Sequence, residues 1–157
     1  MRLDACVLAL ALGGCHLLSG DARPFRVPTP AGFVELPDQQ PAYDYRATSA
    51  DGVVLAVTSI KHVPRGDLTF WTRALRNRMH LSNGYALLGE REVTCATGLR
   101  GHVLELGHDE GGRPHRYALA LFVTAERIFV IESGGERTLF DRARPALDAF
   151  LATFTPR

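Results

Sequence analysis

The sequence predicts an α+β fold, an antiparallel β-sheet of about six to seven strands packed with two amphipathic helices. Three observations carry that expectation. Short runs rich in β-branched and aromatic residues alternate in polarity, as where Tyr43, Tyr45 and Ala47 are set against Asp44, Arg46 and Thr48. The turn signals between these runs are far shorter than the crossover of about a dozen residues that parallel neighbours need, so adjacent strands must be antiparallel. Two other stretches repeat apolar residues at helical spacing: Leu68, Trp71, Ala74/Leu75 and Met79, and later Leu139/Phe140, Ala143, Leu147 and Phe150/Leu151.

Taken in order, Phe25-Arg26-Val27 reads as a short first strand, and VPTPAGF, with Pro28, Pro30 and Gly32, reads as a loop. The runs 43–49 and 53–61 flank Ala50-Asp51-Gly52, whose Asp-Gly supplies the positive φ of a tight hairpin. Asp67 is placed to cap a helix over about 68–82, which Asn83-Gly84 should stop. Its other face carries Arg73, Arg76 and Arg78, expected in solvent, with a partner-binding face as the alternative. Four strand-like runs follow at about 86–95, 99–107, 116–124 and 127–133, parted by Thr97-Gly98, by Asp109-Glu110-Gly111-Gly112 and by Ala125-Glu126. Gly134-Gly135 reads as a turn into a closing helix over about 137–152, in which Pro145 either kinks the helix or starts its second half. The expected order is β-β-β-α-β-β-β-β-α.

Length and composition narrow the function. A chain of 157 residues suits one domain, and 46% hydrophobic with 22% charged residues is a globular balance that excludes disorder and a polytopic membrane protein. The net charge is +1 and the arginines are scattered, so nothing gathers a field for nucleic acid. Only one of the 18 Lys+Arg residues, Lys61, is a lysine, which reflects coding composition rather than chemistry.

The first residues address the chain to a membrane. Ala5 to Leu12 is an eight-residue apolar run ending at Gly13-Gly14-Cys15. That is too short for a bilayer span of about 20 residues and suits a secretory h-region of about 7–15. Leu12-Gly13-Gly14-Cys15 resembles a bacterial lipobox, although the n-region holds only Arg2 and the amino terminus against Asp4. The resemblance implies cleavage before Cys15, diacylglycerol on its sulfur and acylation of the new amino terminus. Two or more acyl chains hold a protein firmly on a membrane where one does so marginally. Residues 1–14 are therefore expected to be a lipoprotein signal peptide, 15–24 a lipidated tether and 25–157 the folded domain. His16, where an aspartate would signal inner-membrane retention in enteric lipoproteins, implies an outer-membrane destination facing the periplasm. Cys95 would be the one thiol left unmodified, so no internal disulfide forms; its alternating apolar context suggests a small buried hydrophobe.

Several further features carry a family resemblance. A Pro-rich lead-in with "GF", a hairpin ending "DGVVLAV", a helix with "LTFW", a strand opening "GY", and "YALALFVTAERIFVIESGG" before "F…RPALDAFLATF" together resemble the PsbP-like superfamily. Its members include DcrB-type bacterial envelope lipoproteins, an extrinsic photosystem II subunit and a Ran-binding transport factor. The resemblance covers about residues 25–155 and implies a non-enzymatic binding or assembly role without naming a partner.

Site chemistry is sparse. His102 and His108 share strand parity, but six residues separate them by roughly 20 Å, too far for one metal ion. Only His108 and His115, across the Gly111-Gly112 turn, are placed to converge, and surface histidines on a hairpin are the expectation there. Ser133 in Ile131-Glu132-Ser133-Gly134-Gly135 is the nearest imitation of a nucleophile elbow, and the same glycines resemble a phosphate cradle; a strand-to-helix turn explains them without chemistry. Trp71, Phe70, Tyr43, Tyr45, Tyr85 and Tyr117 are expected mainly in the core; a pocket, if formed, should lie between the first helix and the sheet near Phe70 and Trp71. No catalytic residue, cofactor or metal is assigned. The reading is a membrane-anchored envelope lipoprotein acting as a binding or assembly module for a protein partner. The alternatives are a carrier or sensor of a small apolar or lipid ligand and, third, a hydrolase.

Overall fold

Polarity alternation along the strands fixes two faces of one sheet, and each face recruits its own helix. The computed structural model of the chain describes residues 23–37 and 42–157. The expected signal peptide, Cys15 and the tether as far as residue 22 lie outside the described residues. The strands are β1 (Phe25–Arg26), β2 (Phe33–Glu35), β3 (Tyr45–Ser49), β4 (Val54–Lys61), β5 (Ala86–Thr94), β6 (Arg100–Glu110), β7 (Arg113–Val123), β8 (Arg127–Glu136) and β9 (Thr155–Pro156). The helices are α1 (Leu68–Asn77), which runs into a π-helical turn Arg78–Ser82, and α2 (Arg137–Thr153). Seven strands form one antiparallel sheet in the order β2-β3-β4-β8-β7-β6-β5, and β1 pairs with β9 beside it.

On β4 the residues Leu55 and Val57 point to one face while Val54, Ala56, Thr58 and Ile60 point to the other, as strand geometry requires. The first face packs against α2: Phe140, Leu147, Phe150 and Leu151 join Tyr45, Leu55, Val57, Val103, Phe122 and Ile131 in the main core. The second face meets α1 and the π turn, where Met79 packs with Leu104, Leu106 and Leu119. The two helices thus cover opposite faces. α1 is capped, as expected, by Asp67 Oδ1 accepting from the Phe70 N–H at 2.7 Å, and α2 is capped by Glu136 accepting from the Thr138 and Leu139 N–H groups.

Three local expectations need correction. Gly134 and Gly135 are not a turn; they are the penultimate residues of β8. A Cβ on Gly134 would lie 2.8 Å from Tyr117 Cδ2, closer than side chains pack, and one on Gly135 would sit tightly against Val53 Cγ2 at 3.1 Å. The β6–β7 turn is only Gly111-Gly112, with φ of 58° and 77°, so Asp109 and Glu110 belong to the strand. Phe33–Glu35, at the end of the expected loop, is a strand paired with β3. After α2, Thr155-Pro156 turns back onto β1, and Arg157 N donates to Pro24 O at 2.8 Å, which closes the two ends of the domain on each other.

Candidate functional site

α1 stands as a ridge across its face of the sheet and is too narrow to cover it. The loop that places it is held by His62, which is buried. His62 Nδ1 lies 2.7 Å from Thr124 O, and Nε2 lies 2.8 Å from Gly66 O, 3.0 Å from Gly66 N and 3.3 Å from Trp71 Nε1, so one buried ring ties the β7–β8 turn to the start of α1. The Phe70 and Trp71 rings, 5.1 Å apart edge to face, close over Gly66, where a Cβ would fall 2.7 Å from Phe70 Cδ1. These two aromatics therefore lock the β4–α1 connection and line neither of the two grooves beside the helix, where the sequence places them.

The space beside α1 is divided into two grooves of different chemistry. On the β4–β8 flank, Ile60, Leu75, Met79, Tyr117, Val130 and Glu132 line a groove of about 360 Å³, with Arg78, Asn83 and Thr58 at its margin. Its floor is apolar and its polar atoms are mostly engaged. Tyr117 Oη donates to Glu132 Oε2, and burial together with that carboxylate pushes the phenol pKa well up, so the proton stays on Tyr117 at any physiological pH. Beyond the groove the sheet is bare: the register aligns Val34, Thr48, Val54 and Gly134 in one row, and Val34 is 69% exposed while Val54 and Ile60 are each 46% exposed. On the β5–β6 flank, Thr72, Arg73, Arg76, Glu92, Arg100 and His102 line a polar groove of about 520 Å³.

Under α2 there is no comparable space. The cavity there measures about 20 Å³, room for roughly one water. Its roof is an ion network in which Arg144 bonds Glu105 at 2.7 Å, Arg91 lies 3.5 Å from Glu105, and Arg91 also pairs with Asp148.

The sequence candidates fall as follows. His108 and His115 are direct cross-strand partners, as expected, and the His108 ring packs on Tyr85 at 5.1 Å. The nearest carboxylate to His115, Glu110, is 3.8 Å away and largely in solvent, and among the described residues no group of three or more His, Cys, Asp or Glu side chains is arranged to hold a metal. His102 instead bonds Glu90 at 2.9 Å. Ser133 is buried in mid-strand, on the face that packs against α2, so it is not at an exposed elbow and no helix N-terminus meets it. Cys95 is buried in the main core, as expected. Tyr45 is buried in that core, Tyr85 and Tyr117 stack on the α1 side, and Phe70 is 55% exposed. Arg73 of α1 and Arg78 of the π turn are exposed, as expected, whereas Arg76 is half-buried and its Nη2 bonds Glu90 Oε2 at 2.6 Å. Cys15 lies outside the described residues. Among those described, no helix is long and apolar enough to cross a membrane.

Thr72 was not singled out by sequence reasoning. It sits among Leu68, Leu75 and Met79 on the inward stripe of α1, a polar residue at an apolar position, and that interruption of the periodicity is the signal that could have found it.

No family model matches the chain and no curated protein matches it in sequence. Solved structures do match in fold. The chain is similar to LpqN of Mycobacterium tuberculosis, described as involved in cell envelope biogenesis, with a TM-score of 0.69 at 15% identity over 84% of this chain and 83% of that one. It is also similar to the cyanobacterial PsbP (CyanoP) of Synechocystis, with a TM-score of 0.53 at 14% identity over 93% of this chain and 99% of that one. A Pseudomonas aeruginosa protein of unknown function gives a TM-score of 0.53 at 13% identity, covering 87% of this chain and 85% of that one. At such identities the likeness speaks of fold alone. Two helices on opposite faces of a seven-stranded antiparallel sheet, matched end to end by a PsbP structure, give this domain the PsbP-like fold.

Proposed function

We propose that this chain is a membrane-anchored envelope protein, held through lipid on Cys15, whose domain docks a protein partner on the α1 side of its sheet and carries out no reaction. The single observation behind the docking surface is the uncovered half of that face. Ile60 lines the groove beside Leu75 and Met79 and is 46% exposed, and Val34 and Val54 stand in solvent on the same face of the sheet. Apolar side chains arrayed around a shallow cleft, with Arg46, Arg78 and Glu132 around it, are the makings of an interface core and its polar rim. The fold likeness to a protein involved in cell envelope biogenesis supports an envelope setting, the lipobox-like Leu12-Gly13-Gly14-Cys15 supports attachment there, and His16 in place of an aspartate favours the outer membrane, facing the periplasm. The one nucleophile candidate, Ser133, is packed under α2 rather than presented to a substrate.

A second reading has a specific observation in its favour. The apolar groove, at about 360 Å³, falls within the size of small-molecule sites, so a small apolar or lipid ligand fits the same place. One experiment separates the two. With a photoreactive side chain at position 60 of the full-length protein in living cells, the docking reading expects one discrete protein adduct, and none from the same group at position 142, exposed on α2. An adduct of lipid mass would transfer the groove to the ligand reading. Equal labelling at both positions would remove the surface from consideration.

A further inference from the structure

The groove on the other flank of α1 has a different chemistry. Arg73 and Arg100 both line it and both are exposed, and neither has a carboxylate at ion-pair distance among the described residues. Arg76 and His102, which also line it, are held together by Glu90, at 2.6 and 2.9 Å. That shared carboxylate fixes two walls of the groove and leaves the guanidiniums of Arg73 and Arg100 as the cations without a partner. Below them Thr72, whose covered Oγ1 has no hydrogen-bond partner among the described residues, closes the floor of the groove. Gly101 contributes as well: the side where its Cβ would point is filled by Phe122 and Leu121 O, so β6 presents bare backbone on the groove side.

We propose that this groove binds a phosphate ester, with Arg73 and Arg100 clamping the phosphate. Guanidinium matches phosphate in shape and charge, and two of them on separate elements, α1 and β6, define a position that one surface arginine does not. Glu92 and Asp67 at the rim set the other requirement, because they repel a second anionic group and accept from hydroxyls. The ligand is thus a monoanionic or dianionic phosphate beside a polyol, the chemistry shared by free glycerol phosphate and by the headgroup of an anionic phosphoglycerolipid.

The test is calorimetric titration of the full-length protein in neutral-detergent micelles with glycerol phosphate, then with inorganic phosphate, repeated in micelles doped with phosphatidylglycerol. Saturable, salt-sensitive binding is expected, weakened about tenfold by Arg73→Gln and again by Arg100→Gln, since each removes a charge-assisted bond. Arg113→Gln, on the β6–β7 hairpin away from the groove, should leave it unchanged. Competition by phosphatidylglycerol identifies the headgroup as a source, and its absence with binding retained identifies the free ester. Both arginines are exposed, so their variants should keep the wild-type melting temperature. Absence of saturable binding, binding unaltered in the Arg73→Gln/Arg100→Gln double variant, or an equal loss in Arg113→Gln would overturn the proposal.

Discussion

Phe154 has no exposed surface, and its ring meets three others: Phe25 at 5.2 Å, Phe129 at 5.4 Å edge to face and Phe122 at 5.6 Å nearly parallel. One side chain thus joins β1, two central strands and the end of α2. Phe154→Ala should cost about 4 kcal/mol in urea unfolding, the loss of a fully buried ring plus the cavity it leaves. Phe70→Ala should cost under about 1.5 kcal/mol, because much of that ring is already in water. Equal losses would mean that the aromatic cluster does not carry the core. Sequence periodicity marked Phe150 and Leu151 as buried but said nothing of Phe154, which lies past the helix and is buried only because the chain folds back to β1. Thr72 shows the reverse: its inward position follows from helical spacing, yet a polar residue there carries meaning only once the groove beside it is seen.

At the level of elements, α2 is tied to the sheet by charge as well as by rings. The Glu105 carboxyl on β6 is held below its ordinary value of 4.5 chiefly by the hydrogen bond from Arg144 on α2, against a smaller opposing effect of burial, with the charges of Arg144 and Arg91 adding to it. Folded protein therefore takes up this proton less readily than unfolded chain does. The stabilisation is complete above the ordinary carboxylate value and is lost as the pH falls through the lower folded value. In urea titrations between about pH 6 and pH 3, wild type should lose about 0.5 kcal/mol more than Glu105→Gln, a figure kept small by solvent screening; parallel losses would show that the network contributes nothing. The hairpins and both helices were legible because each rests on local periodicity and turn chemistry. Gly134-Gly135 was misread for an equally local reason: paired glycines signal a turn, whereas here they make room for Tyr117 and Val53, residues distant in the chain. The strand β9, two residues long, forms only through its pairing with β1.

Across the whole molecule the two helices do unequal work. α2 seals its face to a void of about 20 Å³, while α1 divides the other face into an apolar groove and an arginine-lined one and leaves β2–β4 bare. Periodicity foretold a two-helix sandwich but not which helix would cover its face fully, because that depends on the order β2-β3-β4-β8-β7-β6-β5, a pairing between segments far apart in sequence. The candidate site was legible only as a region, between the first helix and the sheet; the side chains expected there, Phe70 and Trp71, serve the loop instead. The proposed docking role depends on the chain being fixed at a membrane by one sulfur, that of Cys15. Fractionation of cells expressing Cys15→Ser measures this most directly: the variant should leave the membrane pellet for the soluble envelope fraction while wild type stays bound, whereas equal retention of both in the pellet would contradict the account.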